Sequence, residues 1–192
     1  DFYHSVMDTG EALSTLAALR TALGDMPLLF TFRTKSEGGQ LDITPGEYLA
    51  LNRAVAESGD ADMVDIEVFS GGDTAKQAIA AVHAAGAAVV GSNHDFAKTP
   101  PKDEIVSRLR KMQEMGADLP KIALMPTCKA DVLTLLTATC EMSEQYADRP
   151  IITMSMAATG VISRLCGEVF GSAMTFGAVG QVSAPGQIPV EE

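Results

Sequence analysis

Short apolar runs rich in branched residues alternate with amphipathic stretches along almost the whole of this 192-residue chain. That alternation constrains the fold more than any other feature. The runs predict strands over Leu28–Phe32, Met63–Phe69, Ala88–Gly91, Lys121–Met125, Ile151–Ser155 and Ala173–Ala178. Between them lie predicted helices over Pro45–Ser58, Asp73–Ala85, Lys102–Met115, Ala130–Tyr146 and Gly160–Phe170, and a leading helix spans Thr9–Leu23. Thr9 or Asp8 is placed to cap that first helix and Gly24 to end it. The repeat is roughly 30 residues, the size of a βα unit. Strict βαβα order implies a parallel sheet with right-handed crossovers. Two architectures fit, a doubly wound open sheet and a (β/α)8 barrel. An open sheet that binds dinucleotides should carry GxGxxG after its first strand, and a phosphate loop should read GxxxxGK[ST]; neither pattern occurs. Adding two strands ahead of the chain and one helix behind it gives eight βα units and about 250 residues, the usual barrel size. The expectation is therefore one α/β domain over residues 1–192, a (β/α)8 barrel truncated to about six βα units. Both ends read as cut through a larger fold, with Ile188–Glu192 as the first turn of a helix. A barrel opened in this way exposes strand edges, so the chain alone is expected to aggregate readily.

Composition narrows the partners. Hydrophobic residues make up 46% of the chain, enough for a core and against disorder. The net charge of −11 argues against a broad phosphate-binding face, so no nucleic-acid partner is expected. A small anionic ligand needs only a local Arg or Lys. The most apolar stretch, Ala78 to Val90, is too short to span a bilayer, which takes roughly 20 residues, so no membrane partner is expected either. Cys128, Cys140 and Cys166 show no CxxC spacing and suggest neither a disulfide framework nor a zinc site. Buried thiols in a reducing cytosol, and hence a cytoplasmic location, fit them best.

In a barrel the active site is built from the C-terminal ends of strands and the loops after them. Several polar residues fall there. Arg33 follows the first run and Glu37 lies in the loop beyond; they read as an Arg clamp with a carboxylate beside it, or as a solvated loop of mixed charge. In the third run Val90, Ser92, His94 and Phe96 share a face by period-two alternation. His94 there suits a general acid and base, and equally a structural histidine bonded to a carbonyl. Lys121 shares a face with Ala123 and Met125, while Ile122 and Leu124 suit a helix-covered side. Burial disfavours an ammonium, and a free amine can attack a ketone to form a Schiff base. Against this, Lys121 opens its predicted strand, whereas catalytic groups of barrels usually end theirs, and a strand-start lysine can also snorkel to solvent. Met154 and Met156 read as pocket lining or core filler. Arg164, in a helix after a loop, and Ser183 and Gln187, on a Gly/Pro-rich loop, complete the candidates.

Taken together, the stretches FTFRTKSEGG, DIEVF, GSNHDFAKTP, PKIALMP, TMSMAATGVISRLCGEVFGSAMTFG and SAPGQI resemble the type I 3-dehydroquinate dehydratases of the shikimate pathway, in order and from Pro27 to Ile188. The resemblance implies a (β/α)8 barrel, commonly a homodimer, that removes water from 3-dehydroquinate to give 3-dehydroshikimate. It implies no metal and no organic cofactor; the partner is the small-molecule substrate. By the same resemblance Lys121 is the Schiff-base lysine, His94 the general acid and base, and Glu37 the glutamate that supports it. Arg33, Arg164, Ser183 and Gln187 match substrate-binding positions. A glutamate–arginine pair of the family falls before Asp1. Another Schiff-base barrel, such as a class I aldolase, would share Lys121 but would not require SAPGQ or SNHDFAKTP. A non-catalytic barrel fragment is the third reading.

Overall fold

The computed structural model describes residues 8–69, 71–180, 182 and 184–190. They form two compact units, one of the described residues within 8–92 and 115–118, the other of those within 93–114 and 119–190.

The first unit begins with α1 (Thr9–Leu23), β1 (Leu29–Thr31), α2 (Pro45–Ser58), β2 (Met63–Glu67) and α3 (Asp73–Ala84). β3 (Ala88–Asp95) starts in it and ends in the second unit. α1 occupies the predicted span; the Asp8 side chain accepts from the Gly10 N–H, and the chain turns away at Gly24. α2 is set by a capping box between Thr44 and Glu47 with Pro45 in its first turn. β1, β2 and β3 pair in parallel, with Thr31 opposite Asp65 and Glu67 opposite Ser92. Val64 and Ile66 point to one face of β2 and Asp65 and Glu67 to the other, and all four are fully buried. Gly91 is required by packing: a Cβ there would lie 2.5 Å from the Ala117 Cβ and 3.0 Å from a Val68 methyl.

The second unit continues with α4 (Lys102–Glu114), β4 (Leu119–Leu124), α5 (Lys129–Glu141), β5 (Ile152–Ser155), α6 (Val161–Leu165), β6 (Gly177–Ala178) and β7 (Ile188–Pro189). β4 and β5 are parallel, with Lys121 opposite Ile152 and Ala123 opposite Met154. Ile122 and Leu124 are buried on the helix-covered side. On that side the hydroxyls of Thr139 on α5 and Thr153 on β5 share a 2.7 Å hydrogen bond. The opposite face therefore carries Lys121, Ala123, Ile152 and Met154.

Five expectations are corrected. β3 runs on to Asp95, so His94 lies within a strand rather than beyond it. β4 begins at Leu119, so Lys121 is its third residue and not its first. The helix expected over Gly160–Phe170 is broken into α6 and flanking 3₁₀ turns. Its interruption lets Ser172 N–H bond the Gly167 carbonyl and Ala173 N–H reach Ile151. The strand expected over Ala173–Ala178 shrinks to Gly177–Ala178, which pairs in parallel with Ile188–Pro189. The segment read as a helical first turn is thus β7 over Ile188–Pro189; Pro189 cannot donate, and the Val190 N–H bonds the Ala178 carbonyl instead.

Candidate active site

In the first unit the charged face of β2 organises Arg33. Its Nη2 donates to Asp65 Oδ1 at 2.8 Å, and its Nη1 donates to Glu67 Oε1 at 3.0 Å and Ser92 Oγ at 2.9 Å. Glu37 Oε2 stands 3.7 Å from Nη1. Burial works against the Arg33 cation, but Asp65, Glu67 and Glu37 outweigh it and hold the guanidinium above its ordinary range. Glu67 also accepts from the Thr34 N–H at 2.8 Å and the Thr34 hydroxyl at 2.6 Å. The Glu67 N–H in turn donates to the Tyr48 hydroxyl oxygen at 3.0 Å. Burial pushes the Tyr48 phenol far up, so it stays neutral as an acceptor. Glu37 sits in a 3₁₀ turn over Lys35–Glu37 and is buried. Arg33 and Glu37 are thus brought together within a polar core, not spread over a solvated loop.

Asp65, Glu67 and Ser92 were not singled out from sequence. The signal was the acid–apolar alternation of Val64, Asp65, Ile66, Glu67 and Val68. On a half-exposed strand such alternation marks a solvent face. On a strand buried on both sides it marks an ion-pair network.

The second unit collects the remaining candidates. Lys121 is only 6% exposed. Its Nζ lies 4.7 Å from the centre of the Phe176 ring, a cation–π distance that sequence gave no means of finding. His94 alternates with Asn93 and Asp95. Those two turn towards α4, where Arg108 Nη1 donates to Asn93 Oδ1 at 3.0 Å and stands 3.8 Å from Asp95. His94 therefore takes the other face of β3. The Asp95 carbonyl accepts the Met125 N–H at 2.8 Å, which sets the end of β3 beside the end of β4.

Arg164 projects from α6 and is 6% exposed. Its Nη2 donates to the Pro185 carbonyl at 3.3 Å, while Nε and Nη1 are buried with no hydrogen-bond partner among the described residues. Burial pulls its guanidinium below the ordinary value. A buried arginine with unused donors is poised for an anion, because an unpaired polar group costs free energy until it is satisfied. Gln187 Oε1 accepts the Ala184 N–H at 3.2 Å, closing the turn over Pro185 and Gly186. Ser183 lies outside the described residues. Met154 and Met156 are both buried.

The family model for type I 3-dehydroquinase matches residues 1–192. The chain belongs to the type I 3-dehydroquinases. A 3-dehydroquinate dehydratase from Salmonella paratyphi B is 60% identical over all of this chain and 76% of its own length. A type I 3-dehydroquinate dehydratase from Clostridium difficile, solved with covalently modified comenic acid, superposes with a TM-score of 0.92 at 54% identity, covering 96% of this chain and 72% of that one. The 3-dehydroquinate dehydratase from Enterococcus faecalis superposes with a TM-score of 0.88 at 46% identity, covering 92% and 73%. These likenesses give the fold class, an α/β chain of the (β/α)8 barrel type, and decide against the aldolase reading of the same lysine. Among the described residues, no helix is long and apolar enough to cross a membrane.

Proposed function

We propose that this 3-dehydroquinate dehydratase, a hydro-lyase of the shikimate pathway, works through an imine on Lys121. The observation that carries the proposal is the lysine itself: a long cationic side chain buried in the interior of a strand, in a family that dehydrates a ketone. The amine adds to the substrate carbonyl, and the carbinolamine loses its hydroxyl as water with one proton taken from His94, giving a protonated imine and a neutral imidazole. That nitrogen is an electron sink, so the neighbouring carbon yields its proton to the His94 imidazole and an enamine forms. The electron pair then returns and expels the β-hydroxyl, which takes the proton from His94 as water. Hydrolysis of the imine releases 3-dehydroshikimate and the free amine and returns the proton to His94. Acid–base help of this kind is typically worth ~10²–10⁴ in rate. No metal or organic cofactor is called for, since the iminium does their work.

Arg164 is assigned the substrate carboxylate, which its unpartnered donors support. Arg33, Ser183 and Gln187 are assigned to substrate binding and Glu37 to the support of His94; for these four the family resemblance is the support. A homodimer in the cytoplasm belongs to the same proposal, and sedimentation of the purified enzyme tests its first half.

The deciding experiment treats the protein with 3-dehydroquinate and borohydride and maps the peptides by mass. Borohydride reduces an imine to a stable amine. An adduct on Lys121 is expected. Turnover with no adduct on that residue would overturn the imine route.

A further inference from the structure

Ala157, just after β5, has φ 56 and ψ 177, a positive φ shared by no other non-glycine residue among those described. That region of backbone space is almost reserved for glycine, so an alanine there is strained and persists only if its surroundings over-determine it. Its neighbours do so. The Ala157 N–H donates to the Pro185 carbonyl at 3.2 Å, and the Ala157 carbonyl accepts from the Gly160 N–H at 3.1 Å. Gly186 packs so closely that a Cβ on it would lie 2.5 Å from the Ala157 carbonyl oxygen. The turn that offers the Pro185 carbonyl is itself closed twice, by Gln187 N–H to the Ala184 carbonyl at 3.3 Å and by Ala184 N–H to Gln187 Oε1 at 3.2 Å.

The Pro185 carbonyl has a second donor, Nη2 of Arg164. One oxygen therefore ties the strained backbone, the tight turn and the arginine together. We propose that Ala157 and Gly186 form a backbone clasp that fixes the Pro185 carbonyl, and through it the guanidinium of Arg164, in the orientation that receives the substrate's carboxylate. Both are positioning residues; neither touches substrate. The inference rests on the assignment of Arg164 as carboxylate anchor. The logic is preorganisation: a guanidinium already held in place loses little freedom when the anion docks. Strain at Ala157 is the conformational cost of bringing the turn this close.

The test uses borohydride trapping on Lys121 across a range of 3-dehydroquinate concentrations, with thermal melts of each variant. Ala157→Val puts a β-branched residue where φ is positive, and Gly186→Ala puts a methyl against the Ala157 carbonyl. Each should raise the half-saturating concentration about tenfold, some 1.4 kcal/mol, while maximal labelling is retained. Ala157→Gly keeps the conformation and should behave as the unmodified protein. In an Arg164→Met background the first two substitutions should cost nothing further. Folded variants that saturate at the original concentration overturn the clasp, as does an undiminished tenfold effect without Arg164. Amide exchange on the unmodified protein gives a measurement independent of variant folding: the Ala157 N–H should be protected, and rapid exchange there overturns the clasp. Absence of any Lys121 adduct in the unmodified protein would instead remove the site reading and the clasp with it.

Discussion

Replacing Arg33 with methionine tests whether the polar core of the first unit is held by charge. The substitution keeps much of the side-chain length and removes the guanidinium that Asp65 and Glu67 share. At the 2.8 Å separation of Arg33 Nη2 and Asp65 Oδ1, Coulomb attraction is about 6 kcal/mol gross at an effective dielectric of 20. Most of that is cancelled by the desolvation both ions have already suffered. The loss on mutation comes from what is left behind: Asp65 and Glu67 are fully buried. Breaking a buried pair by deleting one partner typically costs ~3–5 kcal/mol. Glu67 keeps its two bonds from Thr34, and Asp65 keeps the Ser92 hydroxyl at 2.5 Å. These retained bonds place the expected loss near the lower end, at about 3 kcal/mol.

Urea unfolding followed by circular dichroism reads that loss as a lower midpoint at unchanged slope. The charge argument makes a second demand. Adding Asp65→Asn and Glu67→Gln to Arg33→Met removes the stranded charges and should recover at least half of the loss. If Arg33→Met costs less than about 1 kcal/mol, or if the triple variant is less stable than the single one, the network is not held as described.

Four further outcomes follow from other parts of the structure. His94→Ala should lower turnover by ~10²–10⁴ in a dehydration assay, with an unchanged melting curve. Arg164→Lys loses the planar fork and should raise KM roughly 10- to 100-fold with a smaller effect on kcat, read from initial rates. Gly91→Ala drives a methyl into Ala117 and should destabilise the fold by about 1–3 kcal/mol in the same urea titration. Thr44→Ala should lower stability at neutral pH. The Thr44 hydroxyl and N–H hold the Glu47 carboxyl below its ordinary range. A depressed carboxylate contributes stability above its unfolded pKa and loses it as pH falls through the folded one. The gap between the unmodified protein and Thr44→Ala should therefore narrow on acidification, as melts across that range would show.

Much of the architecture was legible because local signals agreed with burial. The helix expected over Pro45–Ser58 forms with those limits, and in the structure Thr44 and Pro45 open it and Gly59 closes it. Disagreements arose where a hydrogen bond to a distant segment decided the outcome. Ala173–Phe176 has the composition of a strand. Yet Ala173 bonds Ile151 at one end and Gly177–Ala178 pairs with Ile188–Pro189 at the other, so the middle is free to place Phe176 against Lys121. Arg164 was legible as a candidate, but its two unused donors were not, since a sequence carries no list of what a side chain fails to meet.

Lys121 shows how the two kinds of information combine. From sequence the strand is expected over Lys121–Met125, directly after Pro120. That boundary left the lysine at a strand's edge, the position least suited to a buried amine. In the structure β4 starts at Leu119 and accommodates Pro120. Starting the strand two residues earlier leaves the alternation intact, so Lys121 keeps the face of Ala123 and is buried. A boundary error of two residues was harmless to the facing of the side chain and decisive for its environment. The same arithmetic holds at His94: extending β3 from Gly91 to Asp95 preserves the face shared with Ser92 and places the imidazole on a strand rather than a loop. Candidate catalytic groups assigned by period-two alternation thus survive errors in strand ends by any even number of residues. A one-residue bulge would reverse them, and the continuous pairings of β2 with β3 and of β4 with β5 contain none.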